Sequence, residues 1–211
     1  MRFGEQVACS TRRDNRESAG AEKIQLRRNV LNVMGADRAA VLDLFAGAGA
    51  MHAAVWHQAN RYVGCDLKWA GHQARVAYVC DNRRLLRTLD LDQFNVFDLD
   101  AYGLPWEQVI IIAARRRALA GPDDAIGLVL TDGAGMNARF GGINQPMASI
   151  AGVSPDLRGA GKQKNWKDLT IRALRGAARR MGGTVTDLWF AEGANHRAMI
   201  YSAAIIRGQA L

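Results

Sequence analysis

Val41-Leu42-Asp43-Leu44-Phe45-Ala46-Gly47-Ala48-Gly49, followed by Tyr62-Val63-Gly64-Cys65-Asp66, is the stretch that decides the fold. An apolar run ends in an acid, passes into a glycine-rich turn and opens a helical pattern. A second apolar run then ends in another carboxylate. In a βαβ unit this places a tight turn at the carboxyl end of one strand and an acid at the end of its neighbour. Ligands of doubly wound sheets bind at that edge.

Working outward, strand-like runs alternate with helical patterns along the chain. A helix is expected over 21–34, with Ile24, Val30, Leu31 and Met34 on its apolar face and Gly35 as its stop. Strands follow at 40–44, 61–65, 76–80, 95–99 and 126–130, with helices at 51–58, from Trp69, at 83–89 and at 106–118. Acids stand at the strand ends. This pattern predicts a mostly parallel sheet with helices on both faces. The tail differs: a helix over 166–181 precedes two strand-like runs, 184–190 and 198–206, spaced for an antiparallel hairpin.

The 211 residues suffice for one α/β domain, expected over 21–211, preceded by a basic mobile arm at 1–20. No apolar run has the ~18 residues of a membrane span. The first twenty residues are charged and hold no apolar signal-peptide core, so a cytoplasmic protein is expected. Three cysteines form no CxxC pair, and Cys65 and Cys80 read as small buried hydrophobes. The four histidines have no ligand-spaced partners, so no metal is expected.

The net charge of +8 is unevenly spread. Residues 36–138 carry 10 basic and 12 acidic side chains, while 139–180 carry 9 basic and 2 acidic. A nearly neutral core beside a basic loop and helix points to a polyanionic partner. Lys162, Lys164 and Trp166 are the candidates for phosphate contact and base stacking.

A dinucleotide fingerprint needs a third glycine where His52 stands, and the Gly-Lys-Ser/Thr of a phosphate loop is absent. The remaining pattern, Asp-Leu-Phe-Ala-Gly-Ala-Gly with an acid at the next strand end, resembles the first two motifs of class I S-adenosylmethionine-dependent methyltransferases. Phe97-Asp98-Leu99-Asp100-Ala101-Tyr102-Gly103-Leu104-Pro105 and Thr131-Asp132-Gly133-Ala134 extend the likeness. Together they are similar to the tRNA (guanine-N2) dimethyltransferases over roughly 23–136, although Ala101 and Leu104 stand where that family has proline and serine.

The resemblance implies a Rossmann-like, seven-stranded sheet, mostly parallel with a C-terminal antiparallel hairpin. It implies S-adenosyl-L-methionine as cofactor, held by Asp43, Phe45, Gly47, Gly49, Asp66, Asp81 and Asp98. Asp100 would accept a hydrogen bond from the amine being methylated, Tyr102 would line or stack on the base, and Pro105 would border the substrate. The expected reaction is methyl transfer to an exocyclic amine of a nucleic-acid base, with RNA and tRNA guanine N2 preferred. The rivals are a DNA adenine or cytosine amino-methyltransferase and a non-catalytic S-adenosylmethionine- or nucleic-acid-binding protein.

Overall fold

The computed structural model describes residues 17–68, 76–101, 103–133, 143–155, 166–192 and 199–209. The helix expected from Trp69, Tyr102, Lys162 and Lys164 lie outside the described residues.

Helix α1 (Glu17–Met34) begins four residues earlier than its apolar pattern suggests. Then come β1 (Ala40–Asp43), α2 (Ala50–Ala54), β2 (Arg61–Asp66), β3 (Val76–Val79), α3 (Asn82–Thr88), β4 (Val96–Asp100) and α4 (Trp106–Arg115). The chain continues through β5 (Ala125–Asp132), α5 (Gln145–Ala151), α6 (Trp166–Arg180), β6 (Gly183–Glu192) and β7 (Ile200–Gly208). Single 3-10 turns at Trp56–Gln58 and Leu91–Gln93 lead into β2 and β4.

The seven strands lie in the order β3-β2-β1-β4-β5-β7-β6. Five are parallel, and β7 pairs antiparallel with both β5 and β6. The expected sheet and hairpin are both present. From β1 the chain winds outward to β2 and β3, then returns to β4 on the other side. That reversal is the topological switch point, at the carboxyl ends of β1 and β4, where open α/β sheets have their ligand crevice.

Helix α5 was not expected within the glycine-rich basic stretch, yet its signals are in the sequence. The Asn144 side chain accepts from the Met147 N–H at 3.2 Å, a proline lies in the first turn, and Gly152 closes the helix at φ 67°. Only seven residues separate these caps, too few for an amphipathic period to register.

Strand alternation sorts the core into two layers. Leu42 of β1 and Leu44 just after it, with Phe97 and Leu99 of β4, face α3, α4, α5 and α6. Val41 and Val96 face α1, where Leu26, Val30, Leu31 and Met34 meet Trp56, Val129, Ala203 and Ile205. Gly127 on β5 makes this contact close: a Cβ there would lie 2.6 Å from Val30 Cγ1. Because Asp43, Asp98 and Asp100 alternate with the first set, they fall on the α1 side.

Candidate functional site

The turn after β1 is built by backbone constraints. Gly47 and Gly49 adopt φ 45° and φ 87°, a left-handed conformation that costs a Cβ-bearing residue energy. The turn is closed by Gly49 N–H to Ala46 O at 2.8 Å and tied to β2 by Ala46 N–H to Cys65 O at 3.0 Å. At the end of β2, Asp66 aims at this turn: Oδ2 accepts from the Gly47 N–H at 2.9 Å and Oδ1 from the Lys68 N–H at 3.0 Å. Acid and glycine turn therefore meet, as the sequence predicts, and each Asp66 oxygen keeps a second lone pair for a ligand. Phe45 is half-buried beside the turn, packed against the α4-side core.

Asp43 is sealed beneath the turn at 2% exposure. Its Oδ1 accepts from the Phe45 N–H at 3.1 Å and its Oδ2 from the Tyr62 hydroxyl at 2.9 Å, so it holds the turn from below. Burial, with Asp98 beside it, pushes its carboxyl up to about 8; Arg27 and the Tyr62 hydroxyl pull the other way.

The two acids of β4 are held by α1. Arg27 grips Asp98 with both ends of its fork, Nε to Oδ2 at 2.6 Å and Nη2 to Oδ1 at 2.7 Å. The Trp56 indole N–H adds a third bond to Oδ2 at 2.7 Å. Asp98, Arg27 and Trp56 are all sealed from solvent. Burial raises the Asp98 carboxyl, Arg27 and Trp56 oppose that rise, and its three N–H donors require it to act as an acceptor.

Asp100, one rung nearer the carboxyl edge, accepts from Lys23 Nζ at 2.7 Å, with Arg27 Nη2 3.3 Å away. Arg27, Lys23 and a hydrogen bond from Thr131 outweigh its burial and hold its carboxyl below the usual range. Its oxygens therefore act as hydrogen-bond acceptors.

Several expectations need correction. Asp98 was a cofactor candidate, but the Arg27 pair lies inside the α1-side core, where a cofactor cannot reach it. Trp166 was expected to stack on a base; helical periodicity turns it inward with Leu169 and Ala173, and it is buried in the α4-side core. Pro105 is buried as the residue preceding the first turn of α4, so it shapes the helix start and not a substrate wall. Asp81 is the N-cap of α3: Oδ1 accepts from the Arg83 N–H at 2.8 Å while Oδ2 pairs with the Arg83 guanidinium at 2.7 Å, holding the carboxyl down at about 2.

Four residues of the site escaped the sequence reading: Lys23, Arg27, Trp56 and Tyr62. A cue existed for two of them. Lys23 and Arg27 are one turn apart and in line with Leu31 and Met34, so charges stand where the helical period calls for apolar side chains.

Two further contacts steady the crevice. The Gly133 N–H bonds to Gly103 O at 2.8 Å, joining the loops after β4 and β5, and Trp106 donates to Asp132 Oδ2 at 2.7 Å. A cavity of about 310 Å³ lies at the opposite, amino edge of the sheet, lined by Arg38, Asp92, Arg116 and Asp124 among others. Arg116 there pairs with Asp92 at 3.0 Å and with Asp124 at 3.7 Å, a structural cluster remote from the acids of β4.

The strand order, the hairpin and the glycine turn facing the Asp66 carboxylate define a class I methyltransferase fold. Solved structures agree. Trm1 from Pyrococcus horikoshii, solved with S-adenosyl-L-methionine, superposes with a TM-score of 0.57 at 17% identity, over 92% of this chain and 56% of that one. Magnesium protoporphyrin IX methyltransferase from Synechocystis PCC 6803, solved with S-adenosylhomocysteine, gives 0.56 at 13% identity, over 97% and 90%. The 1,6-didemethyltoxoflavin N1-methyltransferase of Burkholderia thailandensis, bound to S-adenosylhomocysteine, gives 0.52 at 16% identity, over 92% and 81%. No protein-family model and no curated protein sequence matches the chain.

Proposed function

We propose that this protein is an S-adenosylmethionine-dependent methyltransferase acting on an exocyclic amine of an RNA base, with guanine N2 of tRNA the preferred target. The observation that carries the reading is the meeting of Asp66 with the Gly47 N–H at the topological switch point, with Asp100 at the end of β4, the strand beside β1. Gly47 and Gly49 leave the backbone bare where a ligand approaches, and Asp66 retains acceptor capacity for ribose hydroxyls. These features fit an adenosyl group. When bound, that donor supplies an electrophilic sulfonium methyl.

The chain's own contribution is orientation. A base amine is a weak nucleophile because its lone pair is delocalised into the ring. A fixed carboxylate that accepts from the amine hydrogens turns the lone pair toward the electrophile and stabilises charge growing on nitrogen. Asp100 has the position and the charge for this. Its depressed proton affinity makes it an acceptor and not a strong base, so the amine proton passes to water.

RNA contact falls to α6. Its outward face carries Arg172, Arg175 and Arg179 at helical spacing, all exposed and outside every ion pair among the described residues. Such a ridge matches a run of phosphates. No helix among the described residues is long and apolar enough to cross a membrane, and a cytoplasmic site of action fits an RNA substrate.

The test is incubation of the protein with labelled donor and bulk RNA or DNA, followed by mass spectrometry of the nucleosides. We expect label in N2-methylguanosine from RNA, and loss of turnover with retained donor affinity in Asp100→Ala. Label only in DNA would transfer the reading to the DNA amino-methyltransferases. Donor binding without methylated product from any nucleic acid would leave a binding protein. RNA affinity should fall steeply with salt, and the slope should flatten in the triple R172A/R175A/R179A variant.

A further inference from the structure

Helix α1 brings two cations to two acids in a ladder. On the lower rung Arg27 and Asp98 are sealed, with side-chain exposures of 1% and 0%. On the upper rung Lys23 and Asp100 each retain 17%. The lower pair anchors the helix, and the upper pair touches solvent at the edge where a substrate would arrive. Lys23 is itself fixed on two sides, by Asp100 at 2.7 Å and by the face of the Tyr201 ring, 5.2 Å from its Nζ to the ring centroid.

We infer that Lys23 is a positioning residue that fixes the Asp100 carboxylate at the carboxyl edge of the sheet, ready for the incoming amine. This rests on the proposal that Asp100 accepts from that amine. Free in water, an aspartate side chain would rotate about two torsions and present either oxygen in many directions. Here Lys23 holds Oδ1, Arg27 stands at Oδ2, and Thr131 on β5 adds a hydrogen bond. Each oxygen has two lone pairs, so these partners set the plane of the carboxylate and leave it acceptor capacity for the amine.

The groups facing Asp100 are Lys23 and Arg27 from α1, Thr131 from β5 and its own neighbour on β4, Asp98, whose charge works against the two cations. Arg27 divides its donors between both acids, whereas Lys23 is committed to Asp100. Position 23 is therefore where Asp100 can be loosened while the buried Arg27–Asp98 anchor stays in place.

The experiment compares wild type, K23M and K23R as full chains, with two readouts. The first is a carbon-13 titration of the aspartate carboxylates, with Asp100 assigned by its loss in D100N. Asp100 should titrate below the ordinary aspartate range in wild type and K23R, and at visibly higher pH in K23M. The second is methyl transfer to bulk RNA. K23M should lose roughly tenfold or more in kcat, the share typical of one positioned electrostatic group, with KM for the donor little changed. The acidic limb of its pH profile should move upward, and K23R should restore both. An unmoved Asp100 titration in K23M overturns the inference. So does a K23M that turns over faster with a lower KM for RNA, since Lys23 would then block the site. If wild type methylates neither RNA nor DNA, the methyltransferase proposal fails, and the titration still decides whether Lys23 governs Asp100.

Discussion

The two faces of the sheet solve the same burial problem with different chemistry. Toward α4 and α6 the space is filled by Leu42, Leu44, Phe97, Leu99, Leu128 and Trp106. Toward α1 the equivalent positions of β1 and β4 hold Asp43, Asp98 and Asp100, with a buried arginine among them. Each side has a fully buried tryptophan donating to an aspartate of the sheet, Trp106 to Asp132 and Trp56 to Asp98, both at 2.7 Å. On the α1 side the aspartate also meets a fully buried arginine, whereas the buried Arg116 that follows α4 pairs with Asp92 and Asp124 at the amino edge. The apolar face gains stability in proportion to area removed from water. The charged face is retained at a desolvation cost, which points to a purpose other than stability.

The strongest way to break this contrast is Arg27→Met. It strands the sealed Asp98 without its cation, and we expect a loss of about 3–5 kcal/mol in urea unfolding. Pairing it with Asp98→Leu should recover much of that loss, because removing both partners also removes the uncompensated charge. Recovery would identify the α1-side chemistry as costly ornament to the fold; no recovery would show the network to be essential packing.

On the apolar face the matching test is steric. A Cβ on Gly176 of α6 would run into the Ile150 carbonyl oxygen of α5, which is backbone and cannot swing aside. Gly176→Ala should cost about 1–3 kcal/mol by the same measurement. A neutral outcome would mean that α5 and α6 are less closely joined than their contact implies.

The pH dependence sharpens the comparison further. Asp43, raised to about 8, keeps its proton in the folded state and gives it up near pH 4 when unfolded. The folded state thus binds more protons between these values, and its stability falls as pH climbs from about 4 to about 8. Asp43→Asn should flatten that decline in melts taken across the range. Smallest of all, Tyr62→Phe removes one hydroxyl donor from Asp43 and should cost about 1 kcal/mol.

Much of this architecture was legible in the residues. The alternation of apolar runs located all seven strands, and the glycine turn with Asp66 located the crevice, because local periodicity and backbone conformation govern both. What escaped depends on distance along the chain. Arg27 and Asp98 are 71 residues apart, and nothing local says which acid a core-facing arginine will meet. Asp98 was misjudged for the same reason: a strand-end acid looks alike whether it faces a ligand or a guanidinium. Trp166 was misread because the basic residues around it suggested an exposed surface, although its spacing to Leu169 and Ala173 is that of a buried stripe.

The seating of α1 against β5 and β7 has a consequence for how the protein is made. The helix is synthesised before every strand it packs on, and its resting place includes Tyr201, Ala203 and Ile205 of β7, far along the chain. Its two cations wait, unmatched, for the 77 and 71 residues that bring Asp100 and Asp98, and the helix is fully seated only once β7 has joined the sheet.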